Sequence, residues 1–451
     1  MDKDPILSQK SDKSAKLVLT IILVVLGLVL SGLIFRFSSL RASSKIITLI
    51  IPLLMAGILL LCRLPPGFRV HTVQIVRFVV IGAYLLELFI SLNPNDATAA
   101  LERKRKALHL DNRTPYEVLT DLRKKGYNPV PFLTPDYFLQ HQPLNIGAKT
   151  VYPLGGVSES LTVLCNEGGR WATYQSDEHG FNNPTGLYNP GQVDIVADGD
   201  SYTQGDCVNP KDNAIGVIRQ TYPRTINLGL GGGAFLDRLA VFREYVQRLK
   251  PKVVLWIYTE NTMYNISPEG PLLEYFQENY SQGLYDMQPQ LDQSYKALIG
   301  KEEKEKFLEK KLNGFWIRVI LLWHIRNDIE QFPHQLASIF KKQDVSDQKK
   351  INFQKILKIM SGRARQWGGK LVFVYIPEND PHSDHDAIVS MVRGLNVPVV
   401  DLLPMVNSQP DVMSLYPLRM YAHFNEKGYK LMGETILNYI KSIDTGEFSG
   451  R

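Results

Sequence analysis

Four short stretches of this chain hold residues able to act together on one carbonyl group. "VDIVADGDSYTQGDCVNP", residues 193–210, sets an apolar run ahead of Gly199, Asp200 and Ser201 and follows it with a polar, helix-starting stretch. A serine on such a strand-to-helix turn either caps the helix with its hydroxyl or stands free as a nucleophile beside a base. "INLGLGGGAF" places Gly229, Gly231, Gly232 and Gly233 at the end of a second strand, where a bare amide can approach a substrate oxygen. "WIYTENTMYN" places Asn261 at the end of a third, where its side-chain amide can donate to the same oxygen. "YAHFNEKGYKLMGE" places His423 immediately before a helix near the end of the chain. Singly, the glycines are a turn, Asn261 a cap and His423 a surface residue. Together they describe attack by Ser201 on an acyl carbon, with His423 as base.

The elements that must position these residues follow from hydropathy. "VDIVA", "RTINL", "KVVLWIY", "KLVFVYI" and "VPVVDL" are apolar strands, with amphipathic helical patterns between most of them. That alternation predicts right-handed βαβ crossovers on a parallel sheet. Ser201 then falls in the crevice outside the carboxyl ends of the strands. An insertion at residues 264–350 is charged and helical in its later half. Its "GFWIRVILLWHI" segment carries Arg318 and is too short to span a bilayer, so it reads as a core helix or a surface contact.

The first hundred residues read as a membrane anchor. Residues 17–35 are uncharged and long enough to cross a hydrocarbon core; 46–62 and 73–92 are a second and a third expected span, the last carrying Arg77 and Glu87. Residues 101–190 form a strand-rich lead-in with a helix near Tyr116–Lys125, and 191–445 the α/β domain. Lys3, Lys10, Lys13 and Lys16 place the N-terminus in the cytoplasm and the large domain outside it, against the opposing pull of Arg36, Arg41 and Lys45. The net charge of +6 is spread among both signs, which argues against nucleic acid, and the basic cluster at residues 103–106 suits an anionic membrane surface. Cys62 ends an expected span, leaving Cys165 and Cys207, which are expected to pair outside the cytoplasm; two buried free thiols are the alternative.

From residue 193 to 443, apart from the insertion, the chain resembles the SGNH hydrolase superfamily, the GDSL-type esterases. The resemblance implies a flavodoxin-like three-layer α/β/α domain behind the N-terminal transmembrane helices. In it Ser201 would be the nucleophile and one oxyanion donor, Gly232 the second-block glycine (Gly231 or Gly233 in other registers), Asn261 the third donor and His423 the base. "YQSDEHGFNNP" also resembles the segment ahead of this domain in bacterial envelope members tied to surface polysaccharides. The implied activity is a membrane-anchored esterase for O-acyl groups of envelope carbohydrate or lipid, with no cofactor and no metal. An O-acyltransferase for surface polysaccharide and a non-catalytic assembly component are the alternatives. Thr259 and Thr262 depart from the third block, and Met420 stands where the last block has its Asp. A backbone carbonyl completing a dyad, Asp411, or one of Glu378, Asp380, Asp384 and Asp386 would then orient His423. "PENDPHSDHD", with His382, Asp384, His385 and Asp386, has a weak metal-like spacing and reads as a polar loop.

Overall fold

The computed structural model describes residues 12–24, 52, 55–92, 97–133, 143–233, 235–259, 272–312, 347–377 and 384–447. The described residues up to Leu92, with Leu312, belong to one compact unit and the other described residues from Ala97 onward to another. In the first unit, helix α1 (Pro66–Leu92) contains a 25-residue stretch, Pro66–Ile90, long and apolar enough to cross a membrane. It starts seven residues ahead of the expected span because Pro66, which has no amide hydrogen to place, suits a helix start. Residues 12–24 and 55–61 are helical, and the rest of the expected spans 17–35 and 46–62 lies outside the described residues.

The second unit is built on five parallel strands: β1 (Ile195–Gly199), β2 (Thr225–Gly229), β3 (Val253–Thr259), β4 (Lys370–Ile376) and β5 (Val399–Asp401). Their order, β2-β1-β3-β4-β5, is the flavodoxin-like one, with its reversal between β1 and β3. The strands are apolar throughout because both faces are covered. Val254, Trp256 and Tyr258 point to one side, with Phe373 and Tyr375; Val253, Leu255 and Ile257 point to the other, with Val372 and Val374. The first face is covered by α4 (Phe235–Val241), α5 (Asp347–Gln366) and α6 (His385–Gly394). The second is covered by α3 (Ala214–Arg219) and α7 (Glu426–Glu447). Three layers result, as the sequence pattern requires. Within the expected insertion, the helix Gln288–Leu312 adds Leu291 and Tyr295 to the first core, while "GFWIRVILLWHI" lies outside the described residues.

The lead-in contributes the helix Pro115–Lys124, closed by a reciprocal capping box between Thr114 and Glu117, and a small sheet of Pro129–Pro131, Leu161–Val163 and Thr173–Gln175. Its "YQSDEHGFNNP" stretch then does structural work on the α/β domain. The Asn183 side chain donates to the Asn227 carbonyl at 2.9 Å and accepts from the Asn227 amide at 2.7 Å. Edge strand β2 is thereby paired as another strand would pair it. Asp177 holds the turn by accepting from the amides of His179 and Phe181, from Asn183 and from the Tyr188 hydroxyl.

Under the end of β1, the Arg238 guanidinium lies 3.0 Å from the Asp198 carboxylate and also donates to the Gly199 carbonyl; both side chains are sealed from solvent. Removing one member of such a pair leaves a buried charge alone. Arg238→Met is therefore expected to cost about 3–5 kcal/mol, and Asp198→Leu combined with Arg238→Met to recover much of it, read by urea unfolding.

Candidate active site

Ser201 follows β1 directly, at the point where the strand order reverses. It opens the short helix α2 (Ser201–Gln204), but it is not the cap. Asp200 takes that role, accepting from the Tyr202 amide at 3.0 Å while its other oxygen accepts from the Thr259 hydroxyl. The Ser201 hydroxyl is thus released from backbone duty. Gly199 is required here because a Cβ would collide with the Thr203 hydroxyl and the Ile257 carbonyl of β3.

The freed hydroxyl of Ser201 lies 2.8 Å from Nε2 of His423. On the other side of the ring, Nδ1 lies 2.8 Å from Oε1 of Glu167, and the His423 backbone amide donates to Oε2 of the same carboxylate at 3.1 Å. One carboxylate therefore holds both the ring and the backbone of the histidine. The Tyr202 ring lies 5.2 Å from the imidazole and its hydroxyl donates to the Ala422 carbonyl, which closes a third side. The imidazole keeps 26% of its surface open, enough for a substrate to reach it.

Glu167 corrects the expectation of a dyad completed by a backbone carbonyl. It also corrects Asp411, whose carboxylate is bound by Arg419 at 2.5 and 3.1 Å. Glu378 and Asp380 lie outside the described residues, and Asp386 is engaged with His385. Glu167 comes from the lead-in, two residues after Cys165, and Cys165 is joined by a disulfide to Cys207, six residues after Ser201. Asn166 ties the same loop down, donating to the Asp111 carbonyl and accepting from the Gly169 amide. The cysteine pair was the sequence signal that could have led to Glu167.

Gly232 is the exposed member of its glycine run and sits at φ +77°, a left-handed conformation that suits glycine. The Gly231 amide is occupied by Gln204 Oε1 at 2.7 Å, which removes that register alternative. Gln204 is itself pinned through its carbonyl by Asn182 of the lead-in. Asn261 lies outside the described residues. So does His382 of the metal-like loop, while both ring nitrogens of His385 are taken by Asp386 and Asp401 at 2.8 Å. Glu167, Cys207 and His423 approach one another closely enough for a metal, but the Cys207 sulfur is spent in the disulfide.

Charge is concentrated around the imidazole. Burial works against the imidazolium, but the hydrogen bond and charge of Glu167, with the charges of Asp206 and Asp200, outweigh it and push His423 up to about 9. Burial also raises Asp206 to about 7, against the pull of His423. Because the folded value of His423 lies above the ordinary 6.5, this interaction stabilises the fold below that pH and is lost as pH rises through about 9.

No protein-family model and no curated protein matches the chain. Among solved structures, the chain is similar to a G-D-S-L family protein from Desulfitobacterium hafniense DCB-2, at 17% identity and TM-score 0.32, covering 55% of this chain and 98% of that one. It is similar to a lipase/acylhydrolase from Enterococcus faecalis, at 15% identity and TM-score 0.32, over 55% and 96% of the two chains. It is also similar to a two-domain esterase active on acetylated mannans, at 12% identity and TM-score 0.29, over 56% of this chain and 50% of that one.

An NMR titration of the His423 ring should have its midpoint near 9, and Glu167→Gln should bring it down toward the ordinary histidine range. A midpoint that does not move on that substitution would show that Glu167 does not carry the charge interaction.

Proposed function

We propose that this chain is a serine ester hydrolase of the GDSL type, held at a membrane by its N-terminal apolar segments and acting on O-acyl esters of cell-envelope carbohydrate or lipid. The observation that carries the reading is the unbroken line of hydrogen bonds from Ser201 through His423 to Glu167. His423 Nε2 takes the proton as Ser201 Oγ attacks the ester carbonyl, and Glu167 steadies the imidazolium that forms. The tetrahedral oxygen is received by the amides of Ser201 and Gly232 and by the Asn261 side chain, each donor being worth about 10²- to 10³-fold in rate. Collapse expels the alcohol, which receives its proton from Nε2. Water activated by the same nitrogen then hydrolyses the acyl-enzyme.

Glu167 supports a working site, since it stands where the resemblance leaves Met420 in place of an acid. The Cys165–Cys207 disulfide supports placing this domain in an oxidising compartment outside the cytoplasm. Helix α1 supports the membrane attachment by its length and composition.

A fluorophosphonate should label Ser201 alone, and Ser201→Ala should end both labelling and release of p-nitrophenol from p-nitrophenyl acetate. Labelling that persists in that variant sinks the assignment. Glu167→Gln should retain labelling and lower kcat by roughly 10²- to 10⁴-fold, read in the same assay. Since His423 must be neutral to act as base, wild-type kcat/KM should still be rising with pH between 7 and about 9.

A further inference from the structure

The mechanism above leaves one buried carboxyl unused. Asp206 keeps 13% of its side-chain surface, and its Oδ1 is buried with no hydrogen-bond partner among the described residues. Its Oδ2 lies 4.0 Å from His423 Nε2, too far for a hydrogen bond. A Cβ built on Gly231 would lie 3.4 Å from that same oxygen, so the carboxyl sits between the catalytic base and the glycine loop. The backbone holds it there. The Asp206 amide donates to the Ser201 carbonyl at 3.0 Å, and the next residue, Cys207, is locked by its disulfide at φ +63°.

This placement is costly. A buried polar group with no partner gives up its hydration without replacement, at greater cost when charged. A negative group also opposes charge developing on a nearby tetrahedral oxygen. Because Oδ1 has no partner among the described residues, hydrogen bonding within them does not account for the carboxyl, and its other oxygen, Oδ2, is the one turned toward the site. The nitrogen that Oδ2 faces is the one that hands a proton to the departing alcohol. The alcohol half of the ester must therefore pass beside Asp206, and a hydroxyl carried next to the ester oxygen comes within reach of Oδ2.

We infer that Asp206 binds the alcohol half of the substrate by accepting a hydrogen bond from a free hydroxyl adjacent to the ester, which makes partly acylated polyols the preferred substrate class. The inference rests on the serine esterase reading and adds the specificity. A simple alkyl ester leaves the carboxylate unsatisfied. A vicinal hydroxyl satisfies it and holds the ester oxygen near Nε2. Asp206 is thus a specificity residue and takes no part in bond making. The charged groups around it are His423, which favours its anion, and Glu167 and Asp200, which oppose it; burial raises it to about 7.

The test compares 2-hydroxyethyl acetate with 2-methoxyethyl acetate, a pair differing in one hydrogen-bond donor. The wild-type protein is expected to favour the first by about 10- to 100-fold in kcat/KM, the range of one hydrogen bond to a charged group. In Asp206→Ala the ratio should fall to within about threefold of one, with Asp206→Asn between the two. Fluorophosphonate labelling of Ser201 in both variants certifies a folded site. A third measurement needs no variant: the wild-type preference should weaken as pH is lowered through about 7 and the carboxylate takes up its proton. A wild-type ratio near one, or a ratio that survives in both labelled variants, overturns the inference and leaves the esterase standing. If the wild-type protein hydrolyses neither ester and Ser201 is not labelled, the esterase reading fails and takes this inference with it.

Discussion

The site depends on one carboxylate gripping one histidine at two points. Glu167 meets both the ring nitrogen and the backbone amide of His423. A single hydrogen bond to Nδ1 would set the tautomer, but the second contact also fixes where the residue begins, and with it the direction in which Nε2 points. Nε2 consequently faces the Ser201 hydroxyl at 2.8 Å. The disulfide of Cys165 and the contacts of Asn166 place the loop that carries Glu167, which the α/β domain does not itself provide.

That makes the lead-in part of the candidate site. Its disulfide anchors the Glu167 loop beside the turn that bears Ser201. Asn182 and Asn183, further along the lead-in, hold the end of α2 and the edge of β2. Through Gln204 the same contacts reach Gly231, so the glycine loop and Glu167 are both registered against one segment. A three-layer sheet with its crevice at the strand reversal supplies the platform. The carboxylate on Nδ1 of His423 comes from the lead-in.

Electrostatics sharpen the arrangement. Glu167, Asp206 and Asp200 all bear on one imidazole and favour its charged form. In the proposed reaction an imidazolium forms when Ser201 attacks, and the surrounding carboxylates favour that charged form. The consequence at rest is a histidine that holds its proton to higher pH than usual. Asp198 and Arg238, sealed beneath the turn, perform a separate task, since Arg238, paired with Asp198, donates to the Gly199 carbonyl and secures the end of β1.

The sequence by itself determined the sheet, the place of Ser201 and the presence of a capable histidine. These are local properties: an apolar run buried on both faces reads as an interior strand, and a Gly-Asp-Ser turn carries its own geometry over a few residues. The cysteine pairing was also legible, because only two cysteines remained outside the expected spans. Only the tertiary structure decided which acid serves His423. The partner lies 256 positions away, and no periodicity or spacing connects them. Asp411 looked suitable because it was near in the chain, yet Arg419, eight positions on, takes its carboxylate locally. An imidazole is oriented by whatever stands within hydrogen-bond distance of it in space, and that proximity comes into being only when the chain has folded.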